Sequence, residues 1–146
     1  MTKKEMLDFF DAESTVMLTT MDAGIPQTRA MGNVRNASES RPDLAEFFKT
    51  NNRIFFTACA SDDKIAQIAA NDAANVYCFN DKGEGLLLTG RIVTVEDDDI
   101  RDALWGDGVW EEYFKGGKAG YTVLEFIPAR WKYNAADMSI TRGDFV

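Results

Sequence analysis

Two short segments of the sequence carry side chains suited to binding an anion together. The first contains Arg29, after a turn at 22–26, and the second contains Thr57, Ser61 and Lys64. These residues supply a guanidinium, two hydroxyls, an ammonium and the start of a predicted helix. Such groups bind phosphate monoesters, because charged donors and free helix amides both stabilise a dianion. The sequence therefore predicts a cofactor that carries a phosphate tail.

The residue types that the chain lacks exclude several kinds of catalytic site and metal site. It contains no histidine, which excludes Ser-His-Asp arrangements, an imidazole base and histidine-ligated metals. Its two cysteines, Cys59 and Cys78, do not form a Cys-x-x-Cys pair, and the acidic run 97–99 is typical of a helix start. We therefore expect no metal site. Any redox chemistry has to come from an organic cofactor.

The composition predicts one domain with an acidic surface. A chain of 146 residues with 45% hydrophobic content can bury a core as a single domain, 1–146. A net charge of -8 disfavours nucleic acid and anionic membranes as partners, because both bind through clustered lysine and arginine. No apolar run approaches the roughly 20 residues of a membrane span. We expect a cytoplasmic protein with reduced thiols.

Hydrophobic periodicity and turn residues predict a mainly β fold, with six or seven short antiparallel strands and three or four helices at their connections. The predicted strands are 14–20, 27–34, 54–58, 76–79, 86–95, 121–127 and 138–141, with 130–134 as a further segment. The predicted helices are 3–11, 41–52, 61–70 and one that begins at 96–99, with a helical turn at 109–114. Gly90 predicts a bulge in the longest strand. A small Greek-key barrel requires such a bend.

The order of several short motifs is more specific than any one of them. They lie at 16–20, 24–26, 29–31, 54–57, 61–64, 88–92, 104–105, 110–117 and 128–133. In this order the sequence resembles the FMN-binding split barrels related to pyridoxamine 5'-phosphate oxidase, in particular the general stress protein 26-like branch. The resemblance covers nearly the whole chain and implies an antiparallel Greek-key split barrel.

The resemblance also implies FMN as the cofactor and a homodimer with each flavin at the subunit interface. Its implied phosphate clamp consists of Arg29, Thr57, Ser61 and Lys64. Backbone groups along the ribityl chain and the ring would come from Ala30, Met31, Phe55 and Phe56. Aromatic side chains of the partner subunit would close the site, at Trp105 and Trp110. The residue types alone favour core or dimer-interface positions for these two tryptophans.

The resulting hypothesis is an oxidoreductase that passes hydride or electrons through FMN to or from an undetermined small substrate, with a nicotinamide as a candidate donor. Pyridoxamine 5'-phosphate oxidase activity itself is not expected, because the histidine-containing region that holds that substrate's phosphate has no counterpart here. Three alternatives remain open. They are a non-catalytic flavin-binding redox or stress-response module, a relative that binds deazaflavin or haem on the same fold, and an interaction domain without a cofactor.

Overall fold

In a computed structural model, which describes residues 1–36, 41–106, 113–114 and 116–145, the chain folds into one antiparallel sheet with helices at its connections. The strands are β1 (Thr15–Asp22), β2 (Ile25–Gly32), β3 (Ile54–Cys59), β4 (Ala73–Phe79), β5 (Gly85–Thr94), β6 (Tyr121–Asn134) and β7 (Ile140–Asp144). The α-helices are α1 (Lys3–Asp11), α2 (Leu44–Thr50), α3 (Asp63–Ala70) and α4 (Asp98–Trp105), with a 3₁₀ turn at Gly117–Gly120. Within these ranges no helix is long and apolar enough to cross a bilayer.

The strand order places β2 and β3 at opposite ends of the sheet. Neighbouring strands follow the path β2-β1-β4-β5-β6-β3, and β7 adds to β6. The register between β5 and β6 shifts at Thr89/Gly90. A Cβ on Gly90 would lie 2.0 Å from the carbonyl oxygen of Ile127, so this close approach requires glycine. The predicted mainly β class is confirmed, and the irregularity expected at Gly90 is present, with its extra residue, Ala129, on the partner strand β6.

The two faces of the sheet pack against different helices. The inner face of the barrel packs against Met6 and Phe10 of α1 in one hydrophobic cluster. A second cluster joins α2 and α4 to the other face of β3 and β6, around Phe55 and Val123. Strands β3 and β6 are therefore covered on both faces. The outer face of β1, β4 and β5 carries half-buried or exposed apolar side chains, namely Met17, Tyr77, Phe79 and Leu87.

Two predicted boundaries near the end of the chain were wrong. Strand β6 continues through Pro128, where a break was expected, because Pro128 lies opposite Gly90 at the bulge and the ladder skips Ala129. A proline is tolerated where a ladder hydrogen bond is already missing. Strand β7 begins at Ile140, two residues later than expected, because Met138 has a φ of 70° and belongs to the preceding turn. The predicted helical turn at 109–114 lies mostly outside the described residues.

Candidate functional site

A cavity of about 560 Å³ opens between the two end strands of the sheet. Strand β2 contributes residues 30–32 to its wall and β3 contributes residues 57–59. In the described part of the chain each of these strands pairs on one side only, with β1 and β6 respectively. Each therefore has a free edge of alternating N–H and C=O groups. The other lining residues are Ser14, Asn33, Val34, Asn36, Arg41, Asp62, Lys64, Tyr113 and Phe114.

The start of helix α3 brings Lys64 into the cavity wall. The Lys64 side chain is 8% exposed, and its Nζ lies 2.7 Å from Oδ2 of Asp62. Asp62 is the N-cap of this helix, and its Oδ1 accepts from the Lys64 N–H at 2.9 Å. Asp62 has the extended backbone that this geometry needs. Ser61 is exposed and does not line the cavity.

The Asp62 carboxylate is held in its charged form. Burial by itself would raise its pKa, but hydrogen bonds from the side chain and backbone of Lys64 and the charges of Lys64 and Arg29 outweigh that effect. The pKa of Asp62 therefore lies below its usual value. At neutral pH the cavity wall contains a formed ion pair, with one positive and one negative partner.

Arg29 reaches the same helix from the inner face of β2. It lies opposite the fully buried Leu18, and directly opposite residues of antiparallel strands share a face. Its Nη1 donates to Oγ1 of Thr20 at 2.6 Å, and its Nη2 donates to Oε1 of Gln67 at 3.1 Å. The Thr20 hydroxyl donates to the same Gln67 oxygen at 2.8 Å. Among the residues described, no carboxylate lies within 4.0 Å of this guanidinium, which does not line the cavity.

The structure separates the remaining predicted residues of the two strands into two groups. Ala30, Met31 and Thr57 line the cavity. The side chains of Phe55 and Phe56 are fully buried, on opposite faces of β3 in the two hydrophobic clusters. Only the backbone of these two phenylalanines is therefore available to a ligand, which is the role the resemblance implied for them.

Of the described aromatic residues between 105 and 121, some lie in the core and some line the cavity. Trp105 is 8% exposed, and its ring centroid lies 6.1 Å from that of Phe114 and 4.9 Å from that of Tyr121. Phe114 also lines the cavity, together with Tyr113, which is 70% exposed. Trp105 thus packs in the core of its own chain. Trp110 lies outside the described residues.

Arg41 lines the cavity and was not singled out in the sequence. Its buried guanidinium donates to both oxygens of Asp43, at 3.0 and 2.8 Å, and to the carbonyl of Leu104 at 3.0 Å. The hydrogen bond from Arg41 lowers the pKa of Asp43 despite partial burial. Gly106 approaches so closely that a Cβ there would lie 2.6 Å from Nη2 of Arg41. No local pattern marked this arginine, because its burial depends on packing between α2 and α4.

The cavity suits a flavin with a phosphate tail in most respects. Its volume is within the roughly 300 to 1,000 Å³ common for cofactor pockets. The free strand edges offer donors and acceptors for a polar ring, and Thr57 and Lys64 offer a hydroxyl and an ammonium. Among the lining residues that the structure describes, Asp62 is the one whose charge opposes a phosphate. The donor set therefore fits FMN, with one repulsive contact.

Comparisons with known proteins agree with this fold. Among solved structures, a Clostridium acetobutylicum protein related to general stress protein 26 of B. subtilis shares 21% identity, covers 99% of this chain and 97% of its own, and has a TM-score of 0.74. A pyridoxamine 5'-phosphate oxidase-related, FMN binding protein from Nostoc punctiforme shares 13% identity over 91% of this chain and 88% of its own, with a TM-score of 0.62. A heme binding protein from Mycobacterium smegmatis shares 11% identity over 97% of this chain and 57% of its own, with a TM-score of 0.68.

These identities are low, so the structures show a shared fold. No curated protein matches the chain. The family model for pyridoxamine 5'-phosphate oxidase matches residues 2–135, which is most of the sequence. The chain belongs to the pyridoxamine 5'-phosphate oxidase family.

Proposed function

We propose that this protein binds FMN in the cavity between β2 and β3 and acts as an FMN-dependent oxidoreductase. The observation that carries the proposal is the cavity itself, which lies between two free strand edges and has the buried Lys64 ammonium in its wall. Family membership and the FMN-binding neighbour from Nostoc punctiforme support it.

The phosphate would lie at the start of α3. Lys64 would donate to it directly from the cavity wall, with the Thr57 hydroxyl as a second donor. Arg29 does not line the cavity and would act on the phosphate at longer range; its hydrogen-bond partners, Thr20 and Gln67, are neutral. Charge-assisted hydrogen bonds of this kind are roughly twice as strong as neutral ones. Ser61, the residue before Asp62, is exposed outside the cavity lining and would reach the phosphate from the surface.

The flavin ring would lie along the strand edges. Backbone groups of Ala30, Met31, Phe55 and Phe56 would orient it, and the bound cofactor would supply the hydride or electron transfer. Tyr113 and Phe114 place aromatic surface at the same cavity. The chain therefore needs to bind and orient the ring and to admit a small substrate or a nicotinamide donor, none of which requires histidine.

The test is co-elution followed by reduction. Purified protein is mixed with FMN, separated from free flavin by gel filtration, and then mixed anaerobically with NADH or NADPH. We expect flavin to elute with the protein and its absorbance to bleach faster than that of free FMN. Elution without flavin would contradict FMN binding. Co-elution with bleaching no faster than for free FMN would contradict the oxidoreductase and leave a flavin-binding module.

We further propose that a second copy of the chain covers the outer face of β1, β4 and β5. Ala30, Met17, Tyr77 and Leu87 are direct neighbours across four strands and therefore share that face. Tyr77 stacks on Phe79 with ring centroids 5.9 Å apart, and Phe79 is 59% exposed. Because Ala30 also lines the cavity, a copy seated on this face would lie beside the flavin. Trp110 and Trp105 of the partner subunit remain the proposed lid, although Trp105 is largely buried in its own chain.

Sedimentation measures this dimer directly. Tyr77→Glu places a charge at the centre of the apolar face, and we expect it to convert a dimer to a monomer. Ile25→Glu is the matched control, because Ile25 is 62% exposed and lies on the same face of β2 as Arg29, opposite to that of Ala30. A monomeric parent protein, or a Tyr77→Glu variant as dimeric as the control, would contradict this interface.

A further inference from the structure

The ammonium that the phosphate would contact already has an anionic partner. Oδ2 of Asp62 lies 2.7 Å from Nζ of Lys64, and both residues line the cavity. The Lys64 side chain is 8% exposed and that of Asp62 is 40% exposed. A phosphate that reaches Lys64 therefore comes close to the Asp62 carboxylate. Two anions that share one ammonium repel each other, and the repulsion is larger beside a buried group than in bulk water.

Resting on the proposed function, we infer that Asp62 limits the affinity of the cavity for the phosphate and sets how strongly it prefers FMN over riboflavin. In the cavity wall the formal charges of Lys64 and Asp62 cancel, and of the described charges nearby Arg29 adds one positive charge while the exposed Asp63 in the first turn of α3 adds one negative charge. The lowered pKa of Asp62 keeps its negative charge in place at neutral pH. Asp62 is thus a specificity-determining residue that acts by repulsion.

Asp62 also has a structural role, which can be separated experimentally from its repulsion of the phosphate. Its Oδ1 caps α3 by accepting from the Lys64 N–H at 2.9 Å. Asparagine is as good an N-cap as aspartate, so Asp62→Asn removes the charge and keeps the cap. Asp63 is the matched control, because it is the next residue, is exposed, carries the same charge and does not line the cavity.

The experiment is a pair of titrations, with FMN and with riboflavin, for the parent protein, Asp62→Asn and Asp63→Asn. We expect Asp62→Asn to bind FMN about tenfold more tightly, which corresponds to removing one like-charge repulsion near the phosphate. Riboflavin lacks the phosphate, so its affinity should change by less than about twofold in both variants. Asp63→Asn should leave the FMN affinity within about twofold of the parent.

Unchanged or weaker FMN binding by Asp62→Asn would overturn the inference, since Asp62 would then serve to position Lys64. Tight FMN binding by the parent protein in the same experiment would leave the proposed function standing. Failure of all three proteins to bind FMN would overturn both. Asp62→Ser, which also keeps an N-cap oxygen, is the second variant, and it is expected to shift FMN affinity in the same direction as Asp62→Asn.

Discussion

Lys64 and Arg29 approach helix α3 from two different regions of the molecule. Lys64 lies on the cavity side, in the wall between the end strands, with a carboxylate as its partner. Arg29 lies on the inner face of β2, bonded to the neutral oxygens of Thr20 and Gln67. Lys64 is therefore in reach of a ligand but paired with a carboxylate, whereas Arg29 is set back from the cavity and its hydrogen-bond partners are neutral. Direct contact with a phosphate and longer-range electrostatic attraction would therefore come from different residues, and substitutions at Lys64 and Arg29 test the two effects separately.

The largest loss is expected for the cation in contact with the cavity. Lys64→Met keeps the buried aliphatic stem and removes the charge, which also leaves the Asp62 carboxylate unpaired beside the phosphate. A hydrogen bond to a charged group contributes about 1.5 to 3 kcal/mol, so FMN affinity should fall about 100-fold. Fluorescence titration measures this loss of FMN affinity.

Lys82→Met is the control for this variant, because Lys82 is an exposed lysine in the turn between β4 and β5. It should bind FMN as the parent does. Equal affinities for Lys64→Met and Lys82→Met would remove Lys64 from the site.

A smaller loss is expected for the cation that is set back from the cavity. Arg29→Met removes a positive charge that acts on the phosphate from outside the cavity lining, and FMN affinity should fall about tenfold, in line with a longer-range electrostatic effect at an intermediate dielectric. Arg142→Met, an exposed arginine on β7, is the control. A loss greater than that of Lys64→Met would reverse the comparison and place the phosphate against Arg29.

The pH dependence of FMN affinity is expected to be the smallest of these effects, and it tests the same charged groups of the site. The second ionisation of a phosphate monoester has a pKa of about 6, so FMN gains negative charge between pH 5 and pH 8 and its affinity should rise by roughly threefold to tenfold. The pKa of Asp62 is lowered, so this carboxylate is already charged throughout that range and adds no opposing trend. Riboflavin affinity should stay flat. A parallel rise for riboflavin would show that a group of the protein is titrating.

The sequence was sufficient to predict the mainly β fold, whereas a shared anion site of Arg29 and Lys64 remains a prediction, since Lys64 lines the cavity and Arg29 does not. Strand periodicity and the glycine at position 90 predicted the barrel and its bulge. The barrel and the bulge depend on residue patterns within single strands, and such patterns are visible in the sequence.

The partners of each cation could not be predicted in the same way. Gln67 accepts from Arg29 across 38 positions of the chain, and Arg41 is buried through its bond to the carbonyl of Leu104. Both arrangements arise only when helices pack against strands. Asp62 stands two residues from Lys64, but its place in the cavity wall depends on the orientation of α3. Such contacts come from tertiary packing, which no spacing rule encodes.

The central claim is that the cavity between β2 and β3 recognises a flavin by its phosphate tail. Equilibrium titration of the cofactor-free parent protein with FMN, riboflavin and a phosphate-bearing deazaflavin tests it most directly. We predict that FMN binds at least about tenfold more tightly than riboflavin, because FMN, unlike riboflavin, presents a dianion to Lys64 and Arg29. Equal affinities for FMN and riboflavin, or no binding of either, would contradict the account.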